Sequence, residues 1–180
     1  MPLSDKELEK IDTKENLKNR PSYDEYFLAI AFIVAQRSFD PSSKCGTVIV
    51  SKDKRVLATG YNGPIKGSVD EEIPLTRPDR YFHMIHGEEN ALLAYSGSYQ
   101  DIQEATVYIT SRPCHKCLRM LLQKGIMKIV YGGNLTKVVD DNDMKAQSLM
   151  LKHHPKVQFK QIINNGVQNI FKEMIRSNCG

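Results

Sequence analysis

The sequence predicts an α/β protein of three layers, α/β/α, with a central mixed sheet of about five strands. Three observations carry this. Two β-rich runs, 46–51 and 55–60, are separated by Lys52-Asp53-Lys54 and read as an antiparallel hairpin. After them helix-like and strand-like runs alternate, which is the pattern of parallel crossovers. The helix before the hairpin is apolar on nearly every face from Leu28 to Ala35, so it is expected to be largely buried.

Taken in order, residues 1–20 are a charged segment with Leu8 and Ile11 three apart, an arm or a short peripheral helix. The main domain is expected over 21–180. Ser22 followed by Glu25 is a capping-box pattern that opens a helix from Tyr23 to about Phe39, before Asp40-Pro41 turns the chain. The stretch from Tyr61 to about Ile85 carries Gly63-Pro64, Gly67, Pro74 and Pro78 and is too long for an ordinary connection, so it is expected to be functional. Then come a helix over about 86–95, a strand over 106–110, a helix over 114–124, a strand over 128–131 and a helix over about 141–153. Val157 and Phe159 alternate as a short strand. Val167, Ile170, Phe171, Met174 and Ile175 follow helical spacing and predict a C-terminal helix packed by one face.

Composition limits the function. A chain of 180 residues, 41% hydrophobic and 26% charged, suits one domain with a sizeable core. The formal charge of +4 is mild and dispersed; it suits a small anionic substrate and gives no case for nucleic acid. Four cysteines without a framework of spacings point to a reducing, cytoplasmic setting. The polar N-terminus does not read as a signal peptide, and the longest apolar run, 27–35, is too short for a membrane.

Two motifs carry the chemistry. His86-Gly87-Glu88 is an H-x-E triplet, and Pro113-Cys114-His115-Lys116-Cys117 is a P-C-x-x-C. One imidazole and two thiolates give a zinc ion three of its four ligands, leaving the fourth position for water. Glu88, two residues from the first ligand, is placed to move protons between that water and a leaving group, as in zinc-dependent base deaminases. Each half alone is a weak signal. Together, each followed by a helix-like run, they are specific. His83 and His115 lie near the motifs but do not complete a second site. Glu89 is expected to face away as a surface charge, Cys45 to fill a core position, and His153 and His154 have no assigned role.

With these motifs, Ala35-Gln36-Arg37-Ser38, Asp40-Pro41 and Gly60-Tyr61-Asn62-Gly63 make residues 23–165 resemble the deoxycytidylate deaminases of the cytidine deaminase-like zinc superfamily. Gly87 departs from the usual alanine. The resemblance implies hydrolysis of dCMP to dUMP and ammonia, with dUMP passing to thymidylate synthesis. It places Asn62 at the sugar hydroxyl, the Gly87 backbone N–H at the pyrimidine carbonyl, and Tyr131 against the ring. Arg37 and Ser38 are candidates for the 5′-phosphate, since guanidinium and hydroxyl groups both suit phosphate oxygens. It further implies a hexamer activated by dCTP and inhibited by dTTP, with Mg²⁺, at a site built by Gly60, Tyr61, Asn62, Gly63 and Lys66. Alternatives are deamination of dCTP or deoxycytidine, and a zinc-stabilised binding module without catalysis.

Overall fold

The computed structural model describes residues 20–74, 76, 78–133, 140–163 and 165–177. The arm expected over residues 1–20 lies outside them but for Arg20, as does Cys179. Helix α1 (Tyr23–Ala35) opens on the expected capping box: the Glu25 amide donates to Ser22 Oγ at 3.3 Å, and the Ser22 amide donates to Glu25 Oε2 at 2.8 Å. The helix stops four residues earlier than the sequence pattern suggested. The amides of Gln36, Arg37 and Ser38 each bond to a carbonyl three residues back, and Asp40 is drawn inward to pair with Arg80.

Strands β1 (Gly46–Val50) and β2 (Val56–Tyr61) form the predicted hairpin. The next stretch was expected to be one long loop. It instead folds back on itself: β3 (Gly63–Pro64) pairs antiparallel with β4 (Met84–Ile85), and the single-turn α2 (Arg80–His83) leads into β4. There follow α3 (Gly87–Ala94), α4 (Tyr99–Ile102), β5 (Thr106–Ile109), α5 (His115–Gln123), β6 (Lys128–Gly132), α6 (Asp141–His153), β7 (Gln158–Ile162) and α7 (Asn165–Ser177).

The main sheet has the order β2-β1-β5-β6-β7. β1 is antiparallel to both β2 and β5, whereas β5, β6 and β7 run parallel. Alternation along the central strands separates the two cores, because successive side chains point to opposite faces. Ile49, Val107, Ile109 and Ile129 join Ala91 of α3 and Leu118 and Leu121 of α5 on one face. Val48, Val50, Tyr108 and Val130 meet Phe27, Leu28 and Ala31 of α1 and Val167 of α7 on the other. The three layers and mixed sheet expected from the sequence are thus present. No helix among the described residues is long and apolar enough to cross a membrane.

One close approach fixes where the functional helix starts. A methyl group added at Gly60 of β2 would overlap Gly87 O and Ala91 N. Glycine therefore lets α3 lie directly against the strand.

Candidate metal centre and active site

His86 and Cys114 occupy equivalent local positions. Each is the N-cap of its helix in extended backbone, φ −72° and ψ 154° for His86 and φ −76° and ψ 166° for Cys114. Cys117 lies in the first turn of α5. His86 Nδ1 stands 3.5 Å from Cys114 Sγ and 3.3 Å from Cys117 Sγ, and the three donor atoms lie within 4.8 Å of one another. Nitrogen and sulfur donors on a tetrahedral zinc ion are separated by roughly 3.5 Å, so the set fits such an ion as it stands.

The electrostatics favour a cation here. Its hydrogen bond with Cys117, together with His86, holds the Cys114 thiol down at about 3 despite its burial, as a thiolate. Beside that thiolate, buried and facing Glu88, the Cys117 thiol is pushed up. A cation bound between them would favour both as thiolates. The positive ends of α3 and α5 converge on the same point, which also favours thiolate.

Glu88 is buried, 5% exposed, in the first turn of α3. It faces a cavity of about 190 Å³ whose wall also includes Cys45, Asn62, Arg80, Gly87 and Ser111. A larger hollow of about 650 Å³ adjoins it, sharing Tyr81, His86 and Cys114. Asn62 reaches the inner cavity from the end of β2, with Oδ1 accepting from the Cys45 amide at 2.7 Å and Nδ2 donating to Ser43 O at 2.9 Å. It therefore fixes the 43–45 loop as well as lining the wall. Cys45 is half-buried on that wall, 3.6 Å from Ser111 Oγ, and is not the core residue expected.

Other expected site residues are not brought to the cavity. Arg37 is exposed, and Ser38 is buried with its hydroxyl accepting from the Asp40 amide at 3.2 Å. The cation on the wall is Arg80, 4% exposed, with Nη1 3.3 Å from Asp40 Oδ1 and Nη2 donating to Ser42 Oγ at 2.8 Å. Burial would raise the Asp40 pKa. Hydrogen bonds from the Ser43 and Ser42 amides and the Ser42 hydroxyl, with the Arg80 charge, outweigh it and hold the carboxyl below its ordinary value.

Tyr131, expected at the substrate ring, instead packs on Phe159 with ring centroids 4.9 Å apart and accepts a hydrogen bond from Arg112 at 3.2 Å. It is a core aromatic, because it points inward from β6. Gly60 serves packing, and Gly63 is buried beside the Tyr61 ring; neither they, Tyr61 nor Lys66 lines the cavity. Among the described residues, His86, Cys114 and Cys117 alone form a metal-ligating group of three. His115 pairs with Asp143, and His83 is exposed. Glu89 faces the groove between α3 and α5 and not the cavity. Sequence reading missed Arg80 because its partners lie about forty positions away, and nothing local in 79–83 marks it.

An imidazole and two thiols at two helix starts, with a buried carboxylate on the first turn of one of them, are the arrangement of a metal-assisted hydrolytic deaminase. Residues 21–133 match the family model described as "Cytidine and deoxycytidylate deaminase zinc-binding region", and the chain belongs to that family. It is 30% identical to the deoxycytidylate deaminase of Homo sapiens over 145 residues, 77% of this chain and 79% of that one. The deoxycytidylate deaminase of Mycobacterium phage D29 is 37% identical over 126 residues, 63% of this chain and 96% of its own. The solved dCMP deaminase of cyanophage S-TIM5, in apo form, superposes with a TM-score of 0.57 at 25% identity, covering 79% of this chain and 99% of the other.

Proposed function

We propose that the protein is a zinc-dependent deoxycytidylate deaminase that hydrolyses dCMP to dUMP and ammonia. The observation that carries this reading is Glu88, buried on the cavity wall beside three converging metal donors. The names of the relatives supply the substrate class.

His86, Cys114 and Cys117 would hold the ion, which when bound would supply a water of lowered pKa for attack at C4 of the base. Glu88 takes the proton of that water and delivers it to N3. It then carries the proton of the hydroxyl newly bound at C4 to the departing amino group; the C4–N bond breaks, the oxygen becomes the C4 carbonyl, and water is consumed as ammonia is released. The Gly87 N–H faces the pyrimidine carbonyl, and Asn62, already fixed by Ser43 and Cys45, meets the sugar hydroxyl. The inner cavity suits the ring and part of the sugar, so the phosphate extends into the outer hollow. Product dUMP serves thymidylate synthesis in the cytoplasm.

Regulation belongs to the same reading: a homohexamer, activated by dCTP and inhibited by dTTP with Mg²⁺, the effectors meeting Tyr61, Asn62, Gly63 and Lys66. Support comes from register, since Gly63 pairs with Ile85, the residue before His86.

The test is an ammonia-release assay over dCMP, dCTP, deoxycytidine and cytosine on protein of measured zinc content. About one zinc per chain and preference for dCMP are expected. Zinc-free protein, or no release from any of the four, would overturn the reading.

A further inference from the structure

Both peptide groups that flank Cys114 are gripped by side chains of one helix. Gln147 Nε2 donates to Pro113 O at 2.9 Å, and Asp143 Oδ1 accepts from the His115 amide at 2.7 Å. Asp143 and Gln147 are one turn apart on α6 and are joined to each other, Gln147 Nε2 donating to Asp143 Oδ2 at 2.6 Å. The remaining Gln147 atom, Oε1, accepts from Arg112 Nε at 2.9 Å. Arg112 in turn lies over the Tyr131 and Phe159 rings, 5.6 and 5.0 Å from their centroids, and donates to the Tyr131 hydroxyl.

Gln147 is fully buried, 0% exposed. A buried amide is costly unless it is satisfied. Here both N–H groups and the oxygen have partners, and the amide fits in a single orientation, since its oxygen faces a donor and its nitrogen two acceptors. The α6 N-terminus is closed separately, by Asp140, so these partners do not serve as its cap. All but Asp143 lie on the 112–115 segment, which has no strand or helix hydrogen bonding until α5 begins.

We infer that Gln147 is a positioning residue for the metal centre: with Asp143 it sets the Cys114 backbone so that the thiol is presented to the ion at the start of α5. This rests on the proposed zinc site. Gln147 touches neither metal nor substrate and acts through the loop.

The experiment measures zinc affinity by chelator competition and the visible spectrum of the cobalt-substituted protein for the wild-type chain, Gln147→Met and Gln147→Glu. Methionine keeps the volume and loses every hydrogen bond. Glutamate keeps the acceptor for Arg112 and loses both donors, and it stands in should the methionine variant fail to fold. Groups that orient a metal ligand through a hydrogen bond commonly change affinity by about 10- to 100-fold, and that loss is expected, with a shifted cobalt spectrum and unchanged far-UV circular dichroism. Val167→Ala, in the core on the opposite face of the sheet, serves as a destabilised control and should retain zinc affinity within about twofold of wild type. Wild-type affinity in the Gln147 variants, or an equal loss in Val167→Ala, would overturn the inference while leaving the zinc site intact. Absence of zinc binding by the wild-type chain would instead overturn the reading on which it rests.

Discussion

At position 88 a carboxylate is buried beside two sulfur atoms, an environment unsuited to a merely structural acid. Glu88→Gln keeps its shape and removes the base. Zinc content should be unchanged while dCMP turnover falls by at least ~10²-fold, the scale of general acid–base help; turnover near wild type in a quench assay would exclude the role. Asp40 matters for stability. Its side chain is 6% exposed and that of Arg80 5%, so Asp40→Asn leaves a guanidinium without its buried counter-charge, at a cost of about 3–5 kcal/mol, measurable by urea unfolding at pH 7. Because the folded Asp40 pKa lies below its ordinary value, the pair's contribution is fully present above about pH 4 and is lost as pH falls through the lower, folded value. The wild-type advantage over Asp40→Asn should therefore shrink in acid, and an advantage constant from pH 7 to pH 3 would contradict the linkage. The metal donors could be named from the sequence because their spacing is local. Arg80 could not, because what makes it important is contact with Asp40 and Ser42 across the fold.

Among elements, α3 is held closely at its start. It begins at the metal donor His86, carries Glu88, and lies against β2 at Gly60 with no room for a Cβ. Gly60→Ala must displace backbone, since the overlapping atoms belong to Gly87 and Ala91 and not to a flexible side chain. A loss of about 1–3 kcal/mol is expected, as for other overpacked sites. Thermal unfolding should show it together with weaker zinc binding, and wild-type values for both would mean that the strand does not locate the helix. The hairpin and most later helices and strands were legible in their hydrophobic periods. The end of α1 was not, because nothing in 36–39 breaks a helix before Asp40-Pro41, and it is the fold that pulls Ser38 and Asp40 into buried hydrogen bonds. Strands of two residues such as β3 and β4 leave no period to read, so the 61–85 stretch looked like open loop.

For the whole molecule, the proposed regulation requires that effectors at the Gly60–Lys66 turn favour different conformations, since a ligand with equal affinity for both would shift nothing. The β3–β4 pairing gives such a shift a short route to His86. An assembly would cover exposed apolar side chains such as Phe82, 79% exposed, and Leu93, 70% exposed. A hexamer by sedimentation is expected, with sigmoidal dCMP kinetics made hyperbolic by dCTP and depressed by dTTP. Hyperbolic kinetics indifferent to both triphosphates would remove regulation and leave catalysis standing.

The helix starts show what the chain gives up for its site. Where nothing else is required, the sequence uses the ordinary solution: Ser22, Ser98 and Asp140 close α1, α4 and α6 with side-chain hydrogen bonds. At α3 and α5 the same position holds His86 and Cys114, which make no such bond; the single-turn α2 is also uncapped. Capping residues stabilise a helix by about 1 kcal/mol each. Selection for thermal stability alone would therefore replace these two side chains with serine or aspartate, and each step towards a sturdier protein would remove a ligand. In the metal-free chain the start of α3 has no side-chain cap and that of α5 leans on Asp143 of α6, and an ion bound between them would add the kind of stabilisation that a cap gives.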